Sequence, residues 1–264
     1  MPPPLRKVIE FVVVAICVVA TSLMLLGIIV LLITGNHPGG RDVISFWAAA
    51  RQMVAHADPY DAASILQLER TAGFPASAQS LIMRNPPSAL ALVLPLAAFQ
   101  PRGASLLWSL LLLTSLGLSV HLFWLMRGRP ANKVHLLGYT FGPALICIMG
   151  GQSALFALLG LVLFFRLHRQ HSFWAGMALW LCALKPHLFL PFGVVVLLWI
   201  AQRRRYGVLA GAAVALASSS ALAMWLDPAV WAQYLHMMRT PNIQAEFIPI
   251  RDLFPDSIGR GSCR

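Results

Sequence analysis

The polar residues that could do chemistry are few, and the sequence around them is apolar. Asp42 follows Gly39-Gly40-Arg41 and precedes an aromatic and aliphatic run over 43–50. A carboxylate in this place can act as a general base toward a hydroxyl group, and partial burial together with Arg41 would tune its pKa. Aspartate is also a favoured helix N-cap residue, and a helix is expected to begin here. Both roles stay open for Asp42.

A second polar group follows in the segment Asp58-Pro59-Tyr60-Asp61. The Asp-Pro pair starts turns, and Asp61 is placed to cap a helix over 62–70. On this interpretation the segment closes one helix and opens the next. The alternative is that Asp58, Tyr60 and Asp61 line a polar site of the size of a sugar.

Two further segments bring a cation into apolar surroundings. Arg84 and Asn85 precede Pro86-Pro87, and the guanidinium of Arg84 suits either two-pronged phosphate binding or an interfacial position along lipid. Lys185-Pro186-His187 interrupts an otherwise apolar stretch of about 30 residues, where a lysine is costly and usually functional. Lys185 and His187 therefore indicate a site for an anionic headgroup, with a plain loop between two helices as the alternative.

Gln152 follows two glycines and could hydrogen-bond a headgroup or sugar, or satisfy the ends of broken helices. The sequence has no GxxxxGK loop, no His-Glu-x-x-His and no nucleophile elbow. No pair of histidines stands at metal-ligand spacing with a carboxylate, so no protein-bound metal is predicted. Without a nucleotide site, an activated donor is expected to be a molecule that the membrane delivers.

The elements that must position these residues are membrane helices. Of the 264 residues, 58% are hydrophobic and only 11% are charged, against about a quarter charged in soluble domains. This composition excludes an ordinary soluble enzyme, a disordered chain and a disulfide scaffold. The net charge of +11 lies in short loops, where it sets membrane topology and meets anionic lipid, so no nucleic-acid partner is predicted.

The sequence predicts an all-α, polytopic membrane protein with about seven or eight transmembrane helices. The strong helical spans are 11–34, 104–126 and 207–226. Shorter spans end at polar breaks, as expected where helices border a wet cavity; they cover 134–150, 152–166, 172–184 and 188–201. The apolar segment 88–99 contains Pro95, and the sequence leaves open whether it crosses the membrane.

Charge indicates the orientation of these helices. If 88–99 does not cross, Arg6 and Lys7 share the cytoplasmic side with the basic loops 127–133, 166–171 and 202–206. All nine acidic residues except Glu10 then fall outside. The outer surface gathers the long helical loop 35–87, the Gly-Gly-Gln turn, the Lys-Pro-His turn and the tail after Asp227.

Several of these segments together resemble glycosyltransferase family 87, a group of bacterial membrane enzymes with the GT-C architecture that was earlier filed as domain of unknown function 2029. The resemblance begins with the first helix and includes Asp42 with the run that follows it. It continues through Ala57-Asp58-Pro59-Tyr60-Asp61, Asn85-Pro86-Pro87, Leu94-Pro95-Leu96, Gly151-Gln152, Ala175-Gly176 and Ala183-Leu184-Lys185-Pro186. The spacing from the aspartate to Asp-Pro-Tyr, the Pro-Pro turn and the Lys-Pro pair are more specific together than alone.

The resemblance implies transfer of a mannose-like hexose from a polyprenyl-phosphate carrier to a hydroxyl of a glycolipid, glycan or protein outside the cytoplasmic membrane. It implies that Asp42 is the catalytic base and that Lys185, with His187 or Arg84, holds the lipid phosphate. The predicted substrate-binding set also contains Arg41, Asp58, Tyr60, Asp61, Asn85 and Gln152. The lipid-linked sugar is the donor and no other cofactor is predicted, although some GT-C enzymes use a divalent metal.

The whole chain, 1–264, is predicted to form one GT-C-like membrane domain. Its parts are the first helix 11–34, an outer loop 35–87, a helical bundle 88–226 and an outer tail 227–264. Family members are usually longer, so the resemblance also predicts a C-terminally short member. Two other functions remain: a transporter or flippase of a small or lipid-linked solute, which fits short broken helices and a lone lysine, and an inactive truncated member.

Overall fold

The computed structural model describes residues 3–34, 40–75, 79–131 and 134–240, and within these ranges the chain is helical with no β-strand. The α-helices are α1 (Pro3–Thr34), α2 (Arg41–Val54), α3 (Ala62–Thr71), α4 (Leu90–Val93), α5 (Pro101–Met126), α6 (Gly142–Met149), α7 (Ala154–Leu167), α8 (Ser172–Leu179), α9 (Pro186–Arg203), α10 (Tyr206–Leu226) and α11 (Val230–Arg239). Four 3-10 helices join them, namely η1 (Pro87–Ala89), η2 (Leu94–Ala98), η3 (Val134–Thr140) and η4 (Cys182–Leu184). The predicted all-α membrane class is confirmed.

Helix length divides the bundle into long and short members. Within the described residues, α5, α9 and α10 are long and apolar enough to cross a membrane, and α1 has 32 residues. The spans predicted over 134–150 and 172–184 are each divided, into η3 with α6 and into α8 with η4. The number of membrane crossings stays a prediction.

The segment predicted at 88–99 folds as η1, α4 and η2 in succession, packed against α2 and α10. Together these pieces cover Pro87–Ala98. Even at the rise of a 3-10 helix, about 2 Å per residue, twelve residues extend roughly 24 Å, which is less than the hydrocarbon core of about 30 Å. This length favours a segment that dips into the bundle, and whether it crosses the membrane stays a prediction.

Aromatic packing joins the elements that carry the polar residues. The Trp108 ring of α5 lies 5.1 Å from the Phe46 ring of α2 and 5.0 Å from the Phe156 ring of α7, measured between centroids. All three side chains are buried. Buried aromatic side chains contribute more to stability than other apolar groups because of their large area. This cluster therefore fixes α2, α5 and α7 relative to one another.

The contact between α8 and α10 is made almost backbone to backbone. A Cβ atom placed on Gly211 would lie 1.9 Å from the Phe173 carbonyl oxygen, and one on Gly176 would lie 2.0 Å from the Val208 carbonyl oxygen. The buried face of α10 continues with small residues at every fourth position, Ala215, Ser219 and Ala223. Small residues let membrane helices approach closely and gain van der Waals contact.

Asp61 caps α3, as the sequence predicted. Its Oδ2 accepts hydrogen bonds from the Ser64 backbone N–H at 2.9 Å and from the Ser64 hydroxyl at 2.6 Å. These bonds lower the pKa of Asp61. The folded state therefore favours the ionised form, and the stabilisation is present above the unfolded-state pKa of about 3.9 and is lost as the pH falls through the lowered value.

We expect Asp61→Ala to lower the free energy of unfolding by about 1 kcal/mol at neutral pH, because α3 loses its N-cap. Asp61→Asn keeps the cap and should lose much less. Thermal unfolding in detergent at neutral and at acidic pH measures both effects. The difference between wild type and Asp61→Ala should shrink in acid, and a difference that stays constant with pH would contradict the role of the charge.

Candidate active site

Asp42 lies in the first turn of α2 and is not its N-cap, so that alternative from the sequence is wrong. The N-cap residue is Gly40, with a φ of 79°, and α2 begins at Arg41. A Cβ atom on Gly40 would lie 2.8 Å from the Met149 carbonyl oxygen and 2.9 Å from the Gly150 carbonyl. Only glycine fits this contact, which seats the start of α2 on the end of α6. The carboxylate also benefits from the positive end of the helix dipole.

Gln152 lies in the turn between α6 and α7. Gly150 ends α6, Gly151 has a φ of 70°, and the Gln152 backbone N–H donates to the Cys147 carbonyl at 2.7 Å. The indole N–H of Trp108 donates to the Gly151 carbonyl at 2.8 Å and holds the turn in place. In this position the side-chain amide of Gln152 donates from Nε2 to Oδ2 of Asp42.

Lys185 is the N-cap residue of α9, and Pro186 is the first residue of that helix. The break predicted at Lys185-Pro186-His187 is confirmed, because η4 ends at Leu184 and a new helix begins at Pro186. At the first position of a helix the missing N–H of proline removes no hydrogen bond. The Lys185 ammonium donates from Nζ to the Gln152 Oε1 at 2.6 Å. Asp42, Gln152 and Lys185 thus form one hydrogen-bonded chain of carboxylate, amide and ammonium.

The three side chains are partly exposed, so a substrate can reach them. Their elements share an orientation: α2 and α9 begin at the site, and α7 begins two residues after Gln152. The N-terminal ends of three helices therefore face it, and each end carries partial positive charge. A base for a hydroxyl group and a positive environment for an anion lie side by side.

Tyr60 and Asn85 connect the first loop to the lysine turn. Tyr60 is 3% exposed, and its hydroxyl donates to the Asn85 carbonyl at 3.0 Å. The Asn85 side-chain amide donates in turn to the Leu184 carbonyl at 2.6 Å, directly before Lys185. The structure thus uses the Tyr60 hydroxyl and the Asn85 amide in contacts within the protein that position the turn.

Asp58 supports the same connection through its Oδ1, which accepts from the Tyr60 backbone N–H at 2.8 Å. Burial raises the pKa of Asp58, and it raises the pKa of Tyr60 as well. The Tyr60 ring also lies against Tyr234 of α11, with centroids 5.4 Å apart. The loop is therefore a packed part of the protein. Binding of a sugar by Asp58 or Tyr60 stays a prediction.

The other predicted site residues lie around this chain. Arg84 is exposed and precedes Asn85, and His187 is exposed in the first turn of α9. Asp61 is used in the cap of α3, and Arg41 begins α2 but has a side chain outside the described part of the structure. Among the described residues, no group of three His, Cys, Asp or Glu is arranged to hold a metal ion.

Gly40 and Trp108 were missed at the sequence level, although both position the site. Trp108 lies within an apolar run, where its indole N–H needs a partner inside the protein. That need is the signal that could have pointed to it. Gly40 gave no comparable signal, because one glycine of a Gly-Gly pair does not reveal which backbone it contacts.

Comparison with known proteins decides the family. The family model for glycosyltransferase family 87 matches residues 84–253, which is more than half of the chain and includes Asn85, Gln152 and Lys185. The chain belongs to glycosyltransferase family 87. No curated protein and no solved structure matches it.

Membership of family 87 makes the protein a membrane glycosyltransferase, which confirms the resemblance and the predicted enzyme class. Its reaction therefore has a sugar donor and an acceptor. The family match begins at Arg84, so Asp42 and the first loop lie outside it. Asp42 is joined to the matched region by its hydrogen bond with Gln152.

Proposed function

We propose that this family 87 enzyme moves a mannose-like hexose from a polyprenyl-phosphate carrier to a hydroxyl of a glycolipid, glycan or protein outside the cytoplasmic membrane. The observation that carries the proposal is the hydrogen-bonded chain Asp42–Gln152–Lys185. In this chain the Gln152 side-chain amide alone lies between the Asp42 carboxylate and the Lys185 ammonium. Glycosyl transfer from a lipid phosphate needs both groups, because a hydroxyl loses a proton and a phosphate leaves.

In the proposed mechanism Asp42 accepts the proton of the acceptor hydroxyl as its oxygen bonds to the anomeric carbon. The bond between that carbon and the phosphate oxygen breaks with inversion, and the phosphate leaves on its lipid with the bonding electron pair. A carboxylate has about four lone-pair positions, so Asp42 can accept from Gln152 and from an acceptor hydroxyl together.

Lys185 stabilises the leaving phosphate. An ammonium group has three N–H donors, and one of them is given to Gln152. The others remain for phosphate oxygens, and the helix N-termini of α7 and α9 add positive potential at the same place. Gln152 acts as the spacer that orients the base and the cation and keeps them from pairing directly.

Two observations support a lipid-linked donor. The sequence has no glycine-rich nucleotide-phosphate loop of the GxxxxGK type, and the site is built on helices of a membrane bundle. A donor with a polyprenyl tail would reach such a site through the bilayer.

The direction of the helices supports an active site outside and an N-terminus inside. Helices α5, α7 and α9 each have the site near their N-terminal end and arginine at their C-terminal end, at Arg127, Arg166 and Arg203. Basic residues favour the cytoplasmic side of the membrane. This arrangement supports the proposal that Asp42 and Lys185 lie on the outer side of a bacterial inner membrane.

Replacing Lys185 with methionine tests the proposal. We expect transfer to fall by about 10²–10³-fold, because the leaving phosphate loses a positioned donor. The assay uses membranes with a radiolabelled polyprenyl-phosphate hexose and, separately, a nucleotide sugar. Arg102→Gln removes an exposed cation at the same end of the bundle and should leave the rate unchanged. Undiminished transfer by Lys185→Met, or transfer from the nucleotide sugar alone, would contradict the mechanism.

A further inference from the structure

A cavity of about 670 Å³ lies between α5, η3, α6 and α7, within the size range of ligand-binding pockets. Trp108, which marks the active-site end of α5, stands 19 residues before Arg127, which lines this cavity. At 1.5 Å per residue the two positions are about 28 Å apart along the helix. The end of the cavity at Arg127 is therefore remote from the Asp42 site.

Most of the cavity wall is apolar, with side chains that include Leu116, Val120, Leu158 and Val162. An apolar wall of this kind offers ordered water no hydrogen-bond partners. Its wall includes Phe123 and Phe141, which are 52% and 61% exposed on the bundle surface. A molecule from the bilayer can therefore enter from the side, and its inner part must be a hydrocarbon chain.

One end of the cavity is polar. The His135 Nδ1 is buried without a hydrogen-bond partner among the described residues, although buried polar atoms nearly always have one. The imidazole packs against the Trp124 ring, with centroids 5.5 Å apart, and the Trp124 indole N–H is used by the Pro130 carbonyl at 3.2 Å. The unsatisfied ring nitrogen is therefore left for a ligand.

Arg127 supplies charge at this polar end. It ends α5, lines the cavity and forms no ion pair with a described carboxylate. Arg129, two residues further along the chain, adds a second exposed cation. Such basic clusters at a membrane surface attract anionic lipids more strongly than zwitterionic ones.

We propose that this cavity binds an anionic phospholipid, with its phosphate on Arg127 and His135 and one acyl chain along the apolar wall. The ligand is a membrane lipid and not a substrate of the transfer reaction, since the polar end of the cavity lies at the C-terminal end of α5, whereas the active site lies near its N-terminal end. The proposal is independent of the proposed function.

The test measures lipid binding to the purified full-length chain. Phosphatidylglycerol or phosphatidylcholine is titrated into detergent micelles, and the midpoint of thermal unfolding reports binding. We expect phosphatidylglycerol to stabilise more strongly, and Arg127→Gln to weaken its apparent affinity by about fivefold. Ala144→Leu narrows the cavity and should weaken the binding of both lipids. Arg203→Gln, a cation at the same end of the bundle outside the cavity, should bind as wild type.

Equal stabilisation by both lipids would overturn the proposal, as would unchanged phosphatidylglycerol affinity in Arg127→Gln and Ala144→Leu. Polyprenyl phosphate is added as a competitor. If it displaces phosphatidylglycerol from wild type at a lower concentration than phosphatidylglycerol itself needs to bind, the cavity belongs to the donor lipid and the proposal fails. Each variant is first checked for a single monodisperse peak in size-exclusion chromatography.

Discussion

Asp42→Asn is expected to lower the rate of sugar transfer by about 10²–10⁴-fold, the usual contribution of a positioned general base. Asparagine keeps the size of the side chain, but its amide oxygen cannot take the proton of the acceptor hydroxyl. Because the change leaves Lys185 in place, donor binding should be retained and the loss should appear in kcat. Transfer is measured with radiolabelled polyprenyl-phosphate sugar in membranes at equal expression.

The matched control is Asp227→Asn, which removes a carboxylate outside the chain of Asp42, Gln152 and Lys185. Asp227 accepts from the Ala229 backbone N–H and from the Gln233 side chain, and its variant should transfer at a rate within a few-fold of wild type. If Asp42→Asn is as active as Asp227→Asn, the base is another group and Asp42 serves only to position Gln152.

The second large effect concerns the contact between α8 and α10. Gly211→Ala should lower the free energy of unfolding by roughly 3 kcal/mol, because the added methyl group overlaps the Phe173 backbone carbonyl and backbone cannot move aside as a side chain can. For a protein of this size the midpoint of thermal unfolding should then fall by roughly 6–12 °C. The measurement is thermal unfolding in detergent.

Gly193→Ala in α9 is the control for this prediction. It makes the same chemical change within a helix, but no atom lies within 4 Å of the new methyl position. Alanine is the better helix former, so this variant should be as stable as wild type or slightly more stable. Equal midpoints for the two variants would show that α8 and α10 are not packed as closely as described.

The sequence identified the individual members of the candidate site better than their arrangement. Asp42, Gln152 and Lys185 stand out because polar side chains are expensive in apolar surroundings. Their chain of hydrogen bonds joins residues 110 and 33 positions apart. Such contacts depend on how α2, α7 and α9 pack, and no local pattern contains that information.

Errors in the sequence reading came from helix ends. Aspartate favours the N-cap position, so the sequence allowed α2 to begin directly after Asp42. The helix instead begins at Arg41, with Gly40 as its N-cap in close contact with the end of α6. The span 134–150 looked continuous, yet Pro143 lies at the beginning of α6 and separates it from η3. A proline can be assigned to the start or to the interior of a helix only when it is known whether a backbone N–H at that position would donate a hydrogen bond.

The length of α7 also bears on the fate of the activated sugar. Its 14 residues rise about 21 Å, roughly 9 Å less than the hydrocarbon core of a bilayer. In the proposed orientation Arg166 lies at the cytoplasmic surface of the membrane, and Gln152 and the Asp42 carboxylate then lie below the outer surface. In the proposed reaction, this recess admits less water than an open surface would, so water competes less with the acceptor hydroxyl for the donor. A helix too short to cross the bilayer would thereby favour glycosylation over hydrolysis of the donor.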